Sequence, residues 1–103
     1  MLARLLGPVL GLAVALPAGA GTLYVSNERD NSLTLIDTAT LTVKGSIKVG
    51  ARPRGITLSA DGKQLYICAS DDDTVQVLDI ATGKILHNLP SGDDPEQFAL
   101  APD

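Results

Sequence analysis

Two short stretches of this 103-residue chain carry side chains that could bind or react. Arg52-Pro53-Arg54 sets two guanidinium groups about a proline of fixed φ, and a guanidinium fork matches the oxygens of a carboxylate or phosphate. Asp71-Asp72-Asp73 places three carboxylates in a row, and oxygen ligands of this kind suit Ca²⁺. Asp93, Asp94 and Glu96 extend the acidic set. Each stretch also has a plainer reading. The arginines can be solvated or salt-bridged, and a three-Asp tip without the D-x-[DN]-x-[DN]-G loop can be a solvated turn. His87 stands alone, and no Ser/His/Asp set or glycine-rich phosphate loop is present. The single cysteine, Cys68, excludes an intrachain disulfide, a cysteine zinc cluster and a C-x-x-C-H haem attachment. No residue is therefore assigned a catalytic, cofactor-binding or metal-ligating role. The candidate ligand residues are Arg52, Arg54, Asp71, Asp72, Asp73, Asp93, Asp94 and Glu96.

What must position these residues is a repeat. Leu23-Tyr-Val-Ser-Asn27 matches Leu65-Tyr-Ile-Cys-Ala69, and Asn31-Ser-Leu-Thr-Leu-Ile-Asp37 matches Asp73-Thr-Val-Gln-Val-Leu-Asp79. Gly50, Pro53, Ile56, Leu58 and Asp61 recur as Gly92, Pro95, Phe98, Leu100 and Asp103, always 42 positions on. Within the period the apolar spacing is two, which predicts strands near 22–27, 32–37, 42–49, 54–59, 64–69, 74–79, 84–89 and 97–101. Asp61-Gly62 and Thr82-Gly83 suit tight turns. Asp37 and Asp79 fall at equivalent strand ends, where a carboxylate caps a turn more readily than it serves as acid or base. Cys68 takes the place of Ser26 and reads as a small inward or edge side chain.

Four strands per 42 residues is the unit of a β-propeller blade. The fold class is thus all-β, with residues 21–49 forming three strands of a first blade, 50–91 a complete blade and 92–103 the start of the next. Fewer than two blades cannot close a ring. The chain is accordingly expected to be the N-terminal piece of a longer propeller, whose remaining blades are its first partners. The alternative is a two-blade unit that assembles with copies of itself. The innermost strand of the first blade is expected from the far C-terminus. Loops 28–31, 50–54, 70–73 and 92–96 should share one rim, which carries eight acidic and three basic residues. The opposite rim balances at three and three.

Residues 1–20 differ from the rest. They hold one charge, Arg4, before an apolar run from Leu5 to Leu16 and a small-residue motif, Ala18-Gly-Ala20. This pattern predicts a secretory signal peptide cleaved after Ala20, with no membrane span thereafter and a periplasmic or secreted location. Twelve acidic residues against eight basic ones, a net charge of −4, argue against nucleic acid as a partner.

At Tyr24-Val-Ser-Asn27, Arg52-Pro-Arg-Gly-Ile56, Leu65-Tyr-Ile67, Leu89-Pro-Ser-Gly92 and Asp94-Pro-Glu96 the chain resembles the YVTN-type β-propeller repeat proteins. Its nearest likeness is to the secreted PQQ-dependent catabolism-associated β-propeller proteins. Tyr66-Ile-Cys-Ala69 departs from the Tyr-Val-Thr-Asn pattern. The resemblance implies a seven-bladed periplasmic ring acting as a binding or accessory scaffold near quinoprotein alcohol oxidation, with a periplasmic redox protein as partner. The alternative is a subunit of a quinone- or haem-linked oxidoreductase, or a propeller lactonase, whose active-site residues lie in other blades. No cofactor ligand of those relatives maps onto a position here.

Overall fold

The computed structural model describes residues 14–15, 21–97 and 99. Two four-stranded antiparallel sheets, joined by short turns and loops, make up the fold. The first has the order β1 (Val14–Ala15), β2 (Thr22–Asn27), β3 (Ser32–Asp37) and β4 (Thr42–Lys48). The second runs β5 (Pro53–Leu58), β6 (Gln64–Ala69), β7 (Thr74–Asp79) and β8 (Lys84–Pro90). A short 3₁₀ turn, Ser70–Asp72, links β6 to β7. Each sheet is one meander, as expected of a blade. The seven strands predicted between residues 22 and 89 all form, with ends within one residue of expectation.

Two sequence expectations meet a different outcome. The innermost place in the first sheet, expected to be filled from the far C-terminus, is occupied by Val14–Ala15, from within the apolar run Leu5 to Leu16. A strand over 97–101 is not seen at Gln97 or Ala99, and Phe98 and residues 100–103 lie outside the described residues. The rest of the predicted signal peptide also lies outside them.

The repeat extends to atomic detail. Asn31 and Asp73 both adopt left-handed φ (54° and 52°), as do Arg52 and Asp94 (55° and 49°). Val49 N–H donates to the Asn31 carbonyl at 3.0 Å, and Ser91 N–H to the Asp73 carbonyl at 3.1 Å. Both β3–β4 and β7–β8 slip register at the same relative point, between Leu35 and Ile36 and between Val77 and Leu78. A bulge of this kind bends and twists the outer strand.

The sheets pack face to face. Tyr24 and Leu33 of the first meet Ile56, Leu65, Ile67 and Leu78 of the second, with Leu35, Ile47, Val49, Leu58, Ile80 and Ile85 around them. Leu33, Leu65, Ile67 and Leu78 are fully buried, and burial of such a side chain contributes about 1.5–3 kcal/mol each. A smaller cluster, Leu23, Val25 and Ile36, lies on the other face of the first sheet. Position in the stack decides exposure. Ile85 packs into the core, while Val43, 42 residues earlier, is 68% exposed; Ile47 packs and its counterpart Leu89 is 46% exposed.

Repeat drift explains one buried polar atom. In the first blade Asn27 Nδ2 donates to Ser32 Oγ at 3.2 Å and Thr34 Oγ1 at 2.7 Å. Ala69 replaces Asn27 in the second blade, and Thr74 Oγ1, the counterpart of Ser32 Oγ, is buried without a partner.

Candidate functional site at the acidic rim

The loops after β2, β4, β6 and β8 meet at one end of the sheets, as the strand order requires. Hydrogen bonds tie them together. Asn31 Oδ1 accepts from Arg52 N–H at 2.8 Å, and Asp73 Oδ1 accepts from Asp94 N–H at 2.8 Å. Gly50 N–H donates to Gln76 Oε1 at 2.6 Å, and Ala51 N–H to Asp72 Oδ2 at 2.8 Å. Ser70 N–H and Ser70 Oγ both donate to the Arg52 carbonyl. A Cβ on Gly50 would sit 2.7 Å from Ala69 Cβ, so only glycine lets this connection lie so close to β6.

On that frame the charged side chains form a ladder. Arg52 Nε donates to Glu28 Oε1 at 3.0 Å and its Nη1 to Asp71 Oδ1 at 3.2 Å. Arg54 Nε lies 3.6 Å from the same Glu28 oxygen, and its Nη2 is 3.0 Å from Glu96 Oε1. Three carboxylates and two guanidiniums thus run in one line, Asp71–Arg52–Glu28–Arg54–Glu96. The hydrogen bond that Arg52 donates to Glu28, followed by the contact with Asp71, raises the Arg52 pKa above its ordinary value and holds the group charged. An open cleft of about 430 Å³ lies at the Asp71–Arg52–Glu28 end of this ladder, lined by those three residues with Arg29 and Asn31.

The expected site residues therefore divide by role. Arg52, Arg54, Asp71 and Glu96 are brought together in ion pairs. The Asp72 and Asp73 carboxylates hold loop backbone amides. Asp93 and Asp94 project as exposed residues at the end of the rim. Glu28 was in the predicted rim but not singled out, although it joins both arginines; its position in the loop after β2 was the available signal. Asn31 was missed as a cap. Its alignment with Asp73, two acceptor side chains that tolerate left-handed φ, could have revealed it.

At the other end, Asp37 Oδ1 accepts from Ala39 N–H at 2.8 Å, and Asp79 Oδ2 from Thr82 N–H at 3.1 Å, so both cap turns. Asp61 is held below the usual carboxylate range, first by the Ser59 hydroxyl and then by the Lys63 amide. Cys68 is fully buried, and burial pushes its thiol up, away from the reactive thiolate. His87 is exposed on β8. Among the described residues no three His, Cys, Asp or Glu side chains are grouped to hold a metal ion, and no helix is long and apolar enough to cross a membrane.

No curated protein matches the chain significantly. Among solved structures, it is similar to hydrazine synthase of Kuenenia stuttgartiensis at 28% identity and a TM-score of 0.78, covering 87% of this chain and 26% of that one. It is also similar to AztD from Citrobacter koseri in two structures, both at 23% identity. The apo form gives a TM-score of 0.68 over 79% of this chain and 23% of that one, and the other 0.69 over 82% and 24%. The AztD likeness bears on fold alone. The chain spans about a quarter of the length of these proteins. The model of the YNCE-like β-propeller matches residues 13–101, and the chain belongs to that family.

Proposed function

We propose that the chain is part of a secreted propeller that works as a binding or accessory scaffold, with the acidic rim as its docking face for a cationic partner. The observation that carries this is the rim's charge. It holds eight carboxylates and three guanidiniums, and two of the three guanidiniums are already engaged by carboxylates. The excess negative charge sits on loops fixed by rigid strands, where propellers and other scaffolds carry function, and a one-signed surface steers an oppositely charged partner. The leader pattern supports a periplasmic setting. Val43 and Leu89, exposed where their repeat counterparts are packed, support further blades as neighbours. The narrower likeness to the PQQ-associated propellers supports a periplasmic redox protein of alcohol oxidation as the partner.

A second reading is favoured by the likeness to hydrazine synthase: the propeller is a subunit of a quinone- or haem-linked oxidoreductase. One experiment separates the two. A cationic c-type cytochrome is titrated onto the protein between about 10 and 300 mM salt, where the screening length shrinks from about 30 Å to below 10 Å. A scaffold binds the probe with an affinity that falls steeply with salt and passes no electrons to it. Salt-independent binding, or none, overturns the docking face; reduction of the cytochrome by an added alcohol or amine favours the oxidoreductase.

A further inference from the structure

The repeat reaches further back than the sequence pattern reveals. In the second blade β5 pairs with β6 so that Ile56 lies opposite Ile67 and Thr57 opposite Tyr66. In the first, Val14 lies opposite Val25 and Ala15 opposite Tyr24. All four partners differ by 42, so β1 meets β2 in the register of the repeat. The chain beyond the strand agrees, since Thr38 N–H donates to the Gly21 carbonyl at 2.9 Å and Ile80 N–H to the Lys63 carbonyl at 3.0 Å. β1 also lies against β5, its neighbour among the innermost strands. The family match begins at residue 13, inside the apolar run rather than after it.

We propose that the inner edge of β2 is a strand-docking site whose resident is Val14–Ala15, so that the apolar run resembling an export leader is also a working strand of the first blade. An innermost strand leaves one row of backbone amides and carbonyls on β2 unpaired when it is absent, and open rows of that kind recruit other strands. By the same spacing, Ala18-Gly-Ala20 corresponds in the repeat to Ala60-Asp-Gly62, in the loop between β5 and β6. The bond that a leader peptidase would cut therefore lies between the docked strand and β2. Cutting it leaves Val14–Ala15 held to the first blade by strand pairing alone rather than by the chain.

The test uses the full 103-residue chain. Neighbouring amides of a strand point to opposite sides, so one of Val14 and Ala15 faces β2, and the double variant Val14→Pro/Ala15→Pro removes that donor whichever it is. Hydrogen exchange of the β2 amides that face β1 should accelerate at least about 10-fold in this variant, with β6–β7 amides unchanged. Leu5→Asp, in the same apolar run but outside the strand, should change neither. Unchanged β2 exchange in the proline variant, or equal acceleration in Leu5→Asp, overturns the proposal. A second readout does not depend on the proline variant folding. With Cys68→Ser as background, Val14→Cys/Val25→Cys should form a disulfide under mild oxidation far faster than the off-register pair Leu12→Cys/Val25→Cys, because only opposed residues meet the Cα spacing a disulfide needs. Equal rates for the two pairs overturn the register and the docking site with it.

Discussion

Substitution at Asn31 offers a sharp test of how the rim is built. Asn31 sits at φ 54°, and its side chain accepts the Arg52 amide at 2.8 Å. Alanine at this position loses that hydrogen bond, worth about 0.5–1.5 kcal/mol net. It also loses the residue type that tolerates left-handed backbone, at roughly 1 kcal/mol. Asn31→Ala should therefore destabilise the chain by about 2 kcal/mol, which for a domain of this size lowers Tm by about 10 °C. Asn31→Asp should cost less than about 0.5 kcal/mol, because the second blade already uses Asp73 at φ 52° to hold the Asp94 amide. Asp73→Asn should be equally mild. Urea unfolding followed by circular dichroism, with unchanged slope, reads these differences. The reasoning fails if Asn31→Ala lies within 0.5 kcal/mol of the parent, or if the aspartate variant falls as far as the alanine one.

Three further outcomes follow from the packing and the titrating groups. Leu33→Ala and Leu65→Ala each remove a fully buried side chain from the core between the sheets and should cost about 2–5 kcal/mol; a double-mutant cycle should show coupling of at least about 0.5 kcal/mol, whereas strict additivity would mean that the two blades do not share one core. Thr74→Val removes a buried hydroxyl with no partner and should leave the urea midpoint unchanged or raise it, while a loss above about 1 kcal/mol would show that the hydroxyl is bonded. The folded-state pKa of Asp61 is depressed, so its stabilising contribution is present above the unfolded value near 3.9 and is lost as pH falls through the folded value; Asp61→Asn should flatten the stability profile below about pH 4 and leave pH 5–8 parallel to the parent, and identical acid limbs would refute the assignment.

Strand positions were legible because a half-buried sheet imposes period two and the 42-residue spacing cross-checks every element. Leu33 and Val75, or Asp37 and Asp79, mark the same place twice. The strand at Val14–Ala15 was not legible for a physical reason. An export leader and an innermost strand both ask for a continuous apolar run, and such a run has no alternation to read. Likewise the candidate residues were found by type and loop position, but their use was not. Whether Asp71 faces a ligand or Arg52 depends on side-chain reach across loops 19 positions apart, which spacing along the chain does not encode. Ala69 in place of Asn27 was visible as a departure from the repeat, yet its effect on Thr74 needed the cross-strand pairing.

The central functional claim rests on the difference between the two rims, and one comparison measures it. Asp30→Asn/Asp93→Asn/Asp94→Asn removes three exposed charges from the acidic rim. Asp37→Asn/Asp61→Asn/Asp79→Asn makes the same change in net charge at the opposite end. With a cationic c-type cytochrome at about 20 mM salt, the first variant should bind about 10-fold more weakly and the second within about twofold of the parent. Equal loss in both variants would mean that net charge alone attracts the probe, and would contradict the acidic rim as a docking face.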